Sequence, residues 1–250
     1  MSTYIVFGAA KPGIGQAITR RLRSEGKSVL GTYAAEQADE AAKLFAADPG
    51  LDLQLVDHAS FVSLSEFFAR APIQLGGVVV AQMHFDIRDA FEINEREWAR
   101  GLAENVTLPH IVAVKLGPRI ASGGSVVTVT STEGFVGSFG AAGYAAGKAA
   151  VHNLIKTHAN VLGLHGVRVN AVAAGWIGGV LDTDEVFNMS RSITPLGRLG
   201  SPEEIAGVVA FLLGPDATFV TGATVVADGG YTCVDTIAKY EYDTMKPSST

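Results

Sequence analysis

Tyr4-Ile5-Val6-Phe7-Gly8-Ala9-Ala10-Lys11-Pro12-Gly13-Ile14-Gly15 opens the chain with an apolar run that ends in a glycine-rich turn. The run is short and rich in aromatic and β-branched residues, so residues 3–7 read as a strand. Residues 14–25 read as a helix, and Gly26 fits the position just past its end. A strand, a glycine loop and a helix in that order make an anion site. Glycine lets backbone approach the anion closely, and the helix N-terminus favours negative charge. Gly8 and Gly13 have the spacing of a nucleoside triphosphate loop, yet Ile14 stands where that motif needs Lys. A nucleoside triphosphatase is therefore rejected.

The alternation continues along the chain. Residues 28–32, 51–56, 78–81, 125–130, 168–173 and 224–227 read as further strands, short and mostly unalternated, as expected when both faces are covered. Residues 36–46, 63–71, 95–119, 141–164 and 202–213 read as helices. Ser201-Pro202-Glu203-Glu204 supplies a cap, a proline at the first helical position and acid in the first turn. The expected fold is α/β, a doubly wound Rossmann fold with a parallel seven-stranded sheet flanked by helices. Residues 1–230 are expected to form one dinucleotide-binding and catalytic domain, and 231–250 a polar C-terminal extension. Residues 175–200 read as the longest irregular stretch, and loops that long are usually functional.

Composition narrows the function. With 48% hydrophobic and 18% charged residues the chain reads as globular. A net charge of −6 with no basic cluster argues against nucleic acid. The single Cys233 excludes an internal disulfide and a multi-cysteine zinc site, and the six histidines show no ligand spacing, so no metal is expected. His158 and His165 are assigned to a solvated helix face. No apolar run approaches the roughly 20 residues of a membrane span, and the start lacks a signal-peptide pattern. A cytoplasmic protein without a membrane partner is expected.

Chemistry concentrates at Tyr144 and Lys148. Four apart on a helix, they lie on one face. A free phenol titrates near about 10, and a neighbouring cation lowers that value. A shift of about three units needs about 4 kcal/mol, which one charge at about 4 Å supplies at an effective dielectric near 20. The pair could then act as a general acid–base near neutrality. Ser131 lies thirteen residues upstream, at the end of a strand.

With Gly8 to Gly15, Asp57, Asn105, Ser131, Tyr144-x-x-x-Lys148, Arg168-Val169-Asn170, Pro195-Leu196-Gly197-Arg198 and Asp228-Gly229-Gly230 in order, the chain resembles the short-chain dehydrogenase/reductase family over nearly its whole length. The resemblance implies an oxidoreductase moving a hydride between a nicotinamide cofactor and a carbonyl or secondary alcohol. Tyr144 is then the acid or base, Lys148 its electrostatic partner, Ser131 the donor to the substrate oxygen and Asn105 the helix-interrupting residue that holds a relay water. Cofactor contacts fall on Gly8, Lys11, Gly13, Ile14, Gly15, Tyr33, Asp57, His58, Ala81, Tyr144, Lys148, Gly175 and Ile177. Lys11 and Tyr33 favour NADP over NAD, because no acid follows the second strand directly and Glu36 comes later. Helices 95–119 and 141–164 imply a homotetramer, with a homodimer as the alternative.

The chain also departs from the family. Four residues rather than three separate Gly8 and Gly13, Phe7 replaces a Thr, and Pro12 has no N–H to offer. Lys11 is expected to replace the lost backbone contact. Ala81-Gln82-Met83-His84 stands in place of Asn-Asn-Ala-Gly, and Gly179 in place of a Thr. His84 reads as a loop or packing residue. Trp176, Ile177, Val180, Leu181, Val186, Phe187 and Met189 suit a hydrophobic or mixed substrate, while Asp182, Asp184 and Glu185 argue against a strongly anionic one. A regulatory protein that senses dinucleotide without turnover is the second reading.

Overall fold

A computed structural model of the chain describes residues 2–87, 92, 94–179 and 183–245. In chain order its elements are β1 (Thr3–Phe7), α1 (Ile14–Ser24), β2 (Ser28–Tyr33), α2 (Ala38–Ala47), β3 (Asp52–Leu55), α3 (Phe61–Arg70), β4 (Leu75–Val80), α4 (Glu95–Leu102), α5 (Leu108–Leu116), β5 (Ile120–Ser131), α6 (Ala142–Leu162), β6 (Arg168–Ala174), α7 (Asp184–Ile193), α8 (Pro202–Leu213), β7 (Thr224–Ala227) and α9 (Thr236–Met245). The strands form one parallel sheet in the order β3-β2-β1-β4-β5-β6-β7. The order reverses between β1 and β4. In open α/β sheets the crevice at that switch point, outside the carboxyl ends of the strands, is where ligands bind.

Each strand residue alternates between two cores. Ile5 and Phe7 of β1 and Val78 and Val80 of β4 pack with α3, α5 and α6 through Phe67, Val112 and Ile155. Val6 and Val79 pack on the other face with α1 and α8 through Ile18, Leu22, Ile205 and Val209. Both faces are therefore apolar, which explains why the strands show no alternation in sequence. Phe7, the departure at the end of β1, is fully buried, with its ring 5.4 Å from that of Phe67 in edge contact. It fills the core and takes no part in the crevice.

Three expectations need correction, on the segments 95–119 and 175–200 and on His158. The segment 95–119 is not one helix: a π-helical turn, Ala103–Thr107, separates α4 from α5. Residues 175–200 are not wholly irregular, because α7 lies within them, capped by the Thr183 hydroxyl accepting from Val186 N. Past the last strand, α9 lies within the stretch read as an extension. His158 is buried rather than solvated; its ring stacks on His110 of α5 with Nδ1 and Nε2 3.0 Å apart, and burial lowers its pKa. Val180, Leu181, Asp182 and residues 246–250 lie outside the described residues. Among the described residues no helix is long and apolar enough to cross a membrane, and no His, Cys, Asp and Glu group forms a metal cluster.

Candidate active site

The loop between β1 and α1 is shaped by close backbone contact. Gly8 and Gly13 have φ of 80° and 82°, in the region that favours glycine. A Cβ on Gly8 would stand 2.7 Å from Gln82 N, and one on Gly15 would stand 2.1 Å from Gly8 O. Gly13 caps α1 with no side-chain hydrogen bond, so the helix N-terminus meets the crevice bare. This cradle fits the diphosphate of a dinucleotide. The inserted residue leaves the Lys11 side chain crossing the crevice. Its Nζ donates to Met83 O at 3.1 Å, and burial lowers its pKa.

The segment after β4 is held from two sides. Asn105, in the π-helical turn, accepts from His84 N at 3.2 Å and donates to His84 O at 2.7 Å. Its carboxamide thus pairs with the backbone as a neighbouring strand would. Gly147 on α6 permits this turn to come close, since a Cβ there would lie 2.8 Å from Asn105 Cβ. The His84 imidazole faces Glu97 of α4, Nε2 to Oε2 2.9 Å. Gln82 is buried and joins a chain of polar contacts that sequence reasoning missed. Ala34 N donates to Gln37 Oε1, Gln37 Nε2 to Gln82 Oε1 at 3.2 Å, and Gln82 Nε2 to Glu104 Oε2 at 2.7 Å. Arg100 Nε donates to Glu104 Oε1 at 2.8 Å, and its Nη2 pairs with Glu36.

Ser131 ends β5, and Tyr144 and Lys148 share one face in the first turns of α6. Ser131 stands close enough to Tyr144 to act on its hydroxyl, and the Ser131 Oγ accepts from Glu133 N at 3.2 Å. Lys148 is buried; its Nζ donates to Val129 O at 3.3 Å and stands over the Tyr144 ring, 5.2 Å from the centroid. The expected electrostatics are reversed here. Burial pushes the largely buried Tyr144 up to about 12, opposed by nearby Ser131 and aided by the Glu133 charge. Burial brings Lys148 down to about 7, and Lys11 acts in the same direction. Helical spacing brings the two groups together, but it says nothing of how little water reaches them.

The remaining candidates divide. Ala81 is buried and extends the pairing of β4, its N donating to Phe7 O at 2.9 Å. Gly175 passes so near β7 that a Cβ would lie 2.5 Å from Asp228 Cβ, and Ile177 forms a bridge with Gly200. Tyr33 closes β2 at the crevice edge. Asp57 is exposed and its Oδ1 accepts from Ala59 N, closing the turn before α3. The His58 side chain belongs to the core: it is 2% exposed, 2.8 Å from Thr32 Oγ1, and burial lowers its pKa to about 4. Phe85 meets the Tyr144 ring edge-on at 4.9 Å, and Trp98 lies over Gly143. The candidate centre around Tyr144 is thus walled by aromatic side chains.

Comparison with known proteins agrees with this geometry. Residues 8–232 match a family model described as Enoyl-(Acyl carrier protein) reductase. An acetoacetyl-CoA reductase of Shinella zoogloeoides is 34% identical over 242 residues, covering 92% of this chain and 98% of the relative. A cyclic-di-GMP-binding biofilm dispersal mediator protein of Escherichia coli is 30% identical, covering 92% and 96%. A crystal structure of BdcA in complex with NADPH superposes with a TM-score of 0.85 at 30% identity, covering 91% of this chain and 93% of that one.

Proposed function

The chain belongs to the short-chain dehydrogenase/reductase family, and we propose that it reduces a carbonyl to a secondary alcohol, or runs the reverse, with NADP(H) preferred to NAD(H). The carrying observation is the meeting of Ser131, Tyr144 and buried Lys148, with Lys148 Nζ over the Tyr144 ring. A nicotinamide dinucleotide supplies the hydride when bound. Gly8, Gly13 and Gly15 would hold its diphosphate at the start of α1. Ser131 donates to the substrate oxygen and steadies the negative charge that grows there. Tyr144 hands its hydroxyl proton to that oxygen. At neutral pH its raised pKa keeps the proton in place, which suits the reductive direction. Lys148, near its own midpoint at pH 7, can return a proton or hold one. Asn105 fixes the His84 backbone, and so the floor of the site.

Phe85 and Trp98 favour an apolar body beside the carbonyl, and the acetoacetyl-CoA reductase relative favours a 3-oxoacyl thioester. Exposed Val114 on α5 and Val161 on α6 support assembly through those helices into a tetramer or dimer. The test is purified protein with NADPH or NADH and a panel of 3-oxoacyl thioesters and aryl ketones. Tyr144→Phe is expected to lower kcat by about 10²–10⁴ while dinucleotide binding persists. An unaffected kcat removes Tyr144 from the chemistry. The likeness to the cyclic-di-GMP-binding protein favours a second reading, binding without turnover. NADPH binding with no turnover across the panel selects it.

A further inference from the structure

Three elements distant in sequence bring charged groups together beside the carboxyl ends of β2 and β4. Glu36 stands in the short turn Ala35–Gln37 that follows β2, the region where an acid would meet a ribose 2′-hydroxyl. Its carboxylate is not free: Arg100 of α4 pairs with it through Nη2. The same guanidinium holds Glu104 through Nε at 2.8 Å. Lys11, from the glycine loop, is near enough for its charge to act on both carboxylates. The two acids differ in freedom. Glu104 is buried and also bonded by Gln82, so it stays; the Glu36 side chain is 54% exposed and can swing away.

One displaceable carboxylate therefore lies between two cations. Resting on the dinucleotide reading above, we infer that Arg100, with Lys11, receives the 2′-phosphate of NADP, and that Glu36 is an internal anion occupying that receptor until phosphate evicts it. A planar guanidinium matches phosphate geometry, and a doubly charged phosphate competes well against one carboxylate. A 2′-hydroxyl brings no charge and leaves the Arg100–Glu36 pair closed. Arg100 thus sets how far the phosphate is preferred, and Glu36 restrains that preference.

The test is Glu36→Gln, which removes the competitor and keeps the Arg100–Glu104 pair that a change at Arg100 would disturb. NADPH and NADH are titrated onto purified wild-type and E36Q protein by nucleotide fluorescence, a readout independent of turnover. The Kd for NADPH is expected to tighten about tenfold, the scale of one charge-assisted hydrogen bond, while that for NADH changes less than about threefold. A ratio of the two Kd values that moves by less than about threefold, or moves toward NADH, overturns the inference. Wild-type protein that binds neither nucleotide removes the dinucleotide reading together with it. Binding of both without a shift in E36Q removes this inference alone.

Discussion

Lys148 and Glu104 are both ionisable side chains shut away from water, 3% and 2% exposed, yet their surroundings are opposite. Glu104 has both carboxylate oxygens engaged, one by Arg100 and one by Gln82. Among the described residues Lys148 has only a carbonyl oxygen, Val129 O, within hydrogen-bond reach, and its pKa falls to about 7. A buried charge with partners is a structural fixture, costly to disturb by halves. A buried cation that lacks a carboxylate is held where a proton comes and goes easily, which is the property of a reacting group.

Substitutions can break or sharpen that contrast. The largest effect is expected for Lys148→Met, which removes the cation proposed to return the proton to Tyr144 but fills the same space. Turnover should fall by about 10²–10⁴, with no loss of melting temperature. Its pH dependence gives a second signature. An unfolded lysine titrates near about 10.4, so between about 7 and 10 the unfolded chain holds the extra proton. The penalty for burying Lys148 is full below pH 7 and fades as pH rises, so wild-type stability should climb over that window. The K148M protein should lack this slope, and a slope common to both would assign it to other groups. Next comes Arg100→Gln, which leaves Glu104 buried with only Gln82. Urea unfolding should show a loss of about 3 kcal/mol, the low end for a broken buried pair because Arg100 itself is partly exposed. An unchanged midpoint would mean that Glu104 is not the fixture described. The smallest is Gln82→Met, expected to cost about 1 kcal/mol by the same measurement, since Glu104 keeps Arg100 while the Gln37 amide loses its acceptor.

The same contrast marks what the sequence reveals. Residues 3–15 announce the first strand, loop and helix because glycine spacing and apolar pattern are local properties. The spacing of Ser131, Tyr144 and Lys148 brings three side chains together because strand end and helix face follow from short-range geometry. The Glu36–Arg100–Glu104–Gln82 contacts join positions up to 64 residues apart, and no local pattern signals them. The helix α7 hides among Gly, Ser and Thr. Its mark is the cap Thr183 followed by Asp184 and Glu185. The break between α4 and α5 leaves two traces, Asn105, matching the family's helix-interrupting Asn and lying inside the turn, and Pro109 in the first turn of α5. Most of all, spacing brings Lys148 to Tyr144 without saying that burial reverses the sign of their pKa shifts.

The π-helical turn Ala103–Thr107 also fixes phase. A π register spends one residue more per turn than an α register, and each α-helical residue rotates the facing direction by about 100°. Were the same five residues wound as α-helix, with none removed, α4 would run unbroken into α5, yet everything downstream would roll by about that angle. Leu108, Val112 and Leu116, now pressed into the core beneath the sheet, would roll off it together. The wide turn thus works as a phase joint between two lengths of one helix, letting the first serve the crevice while the second serves the core.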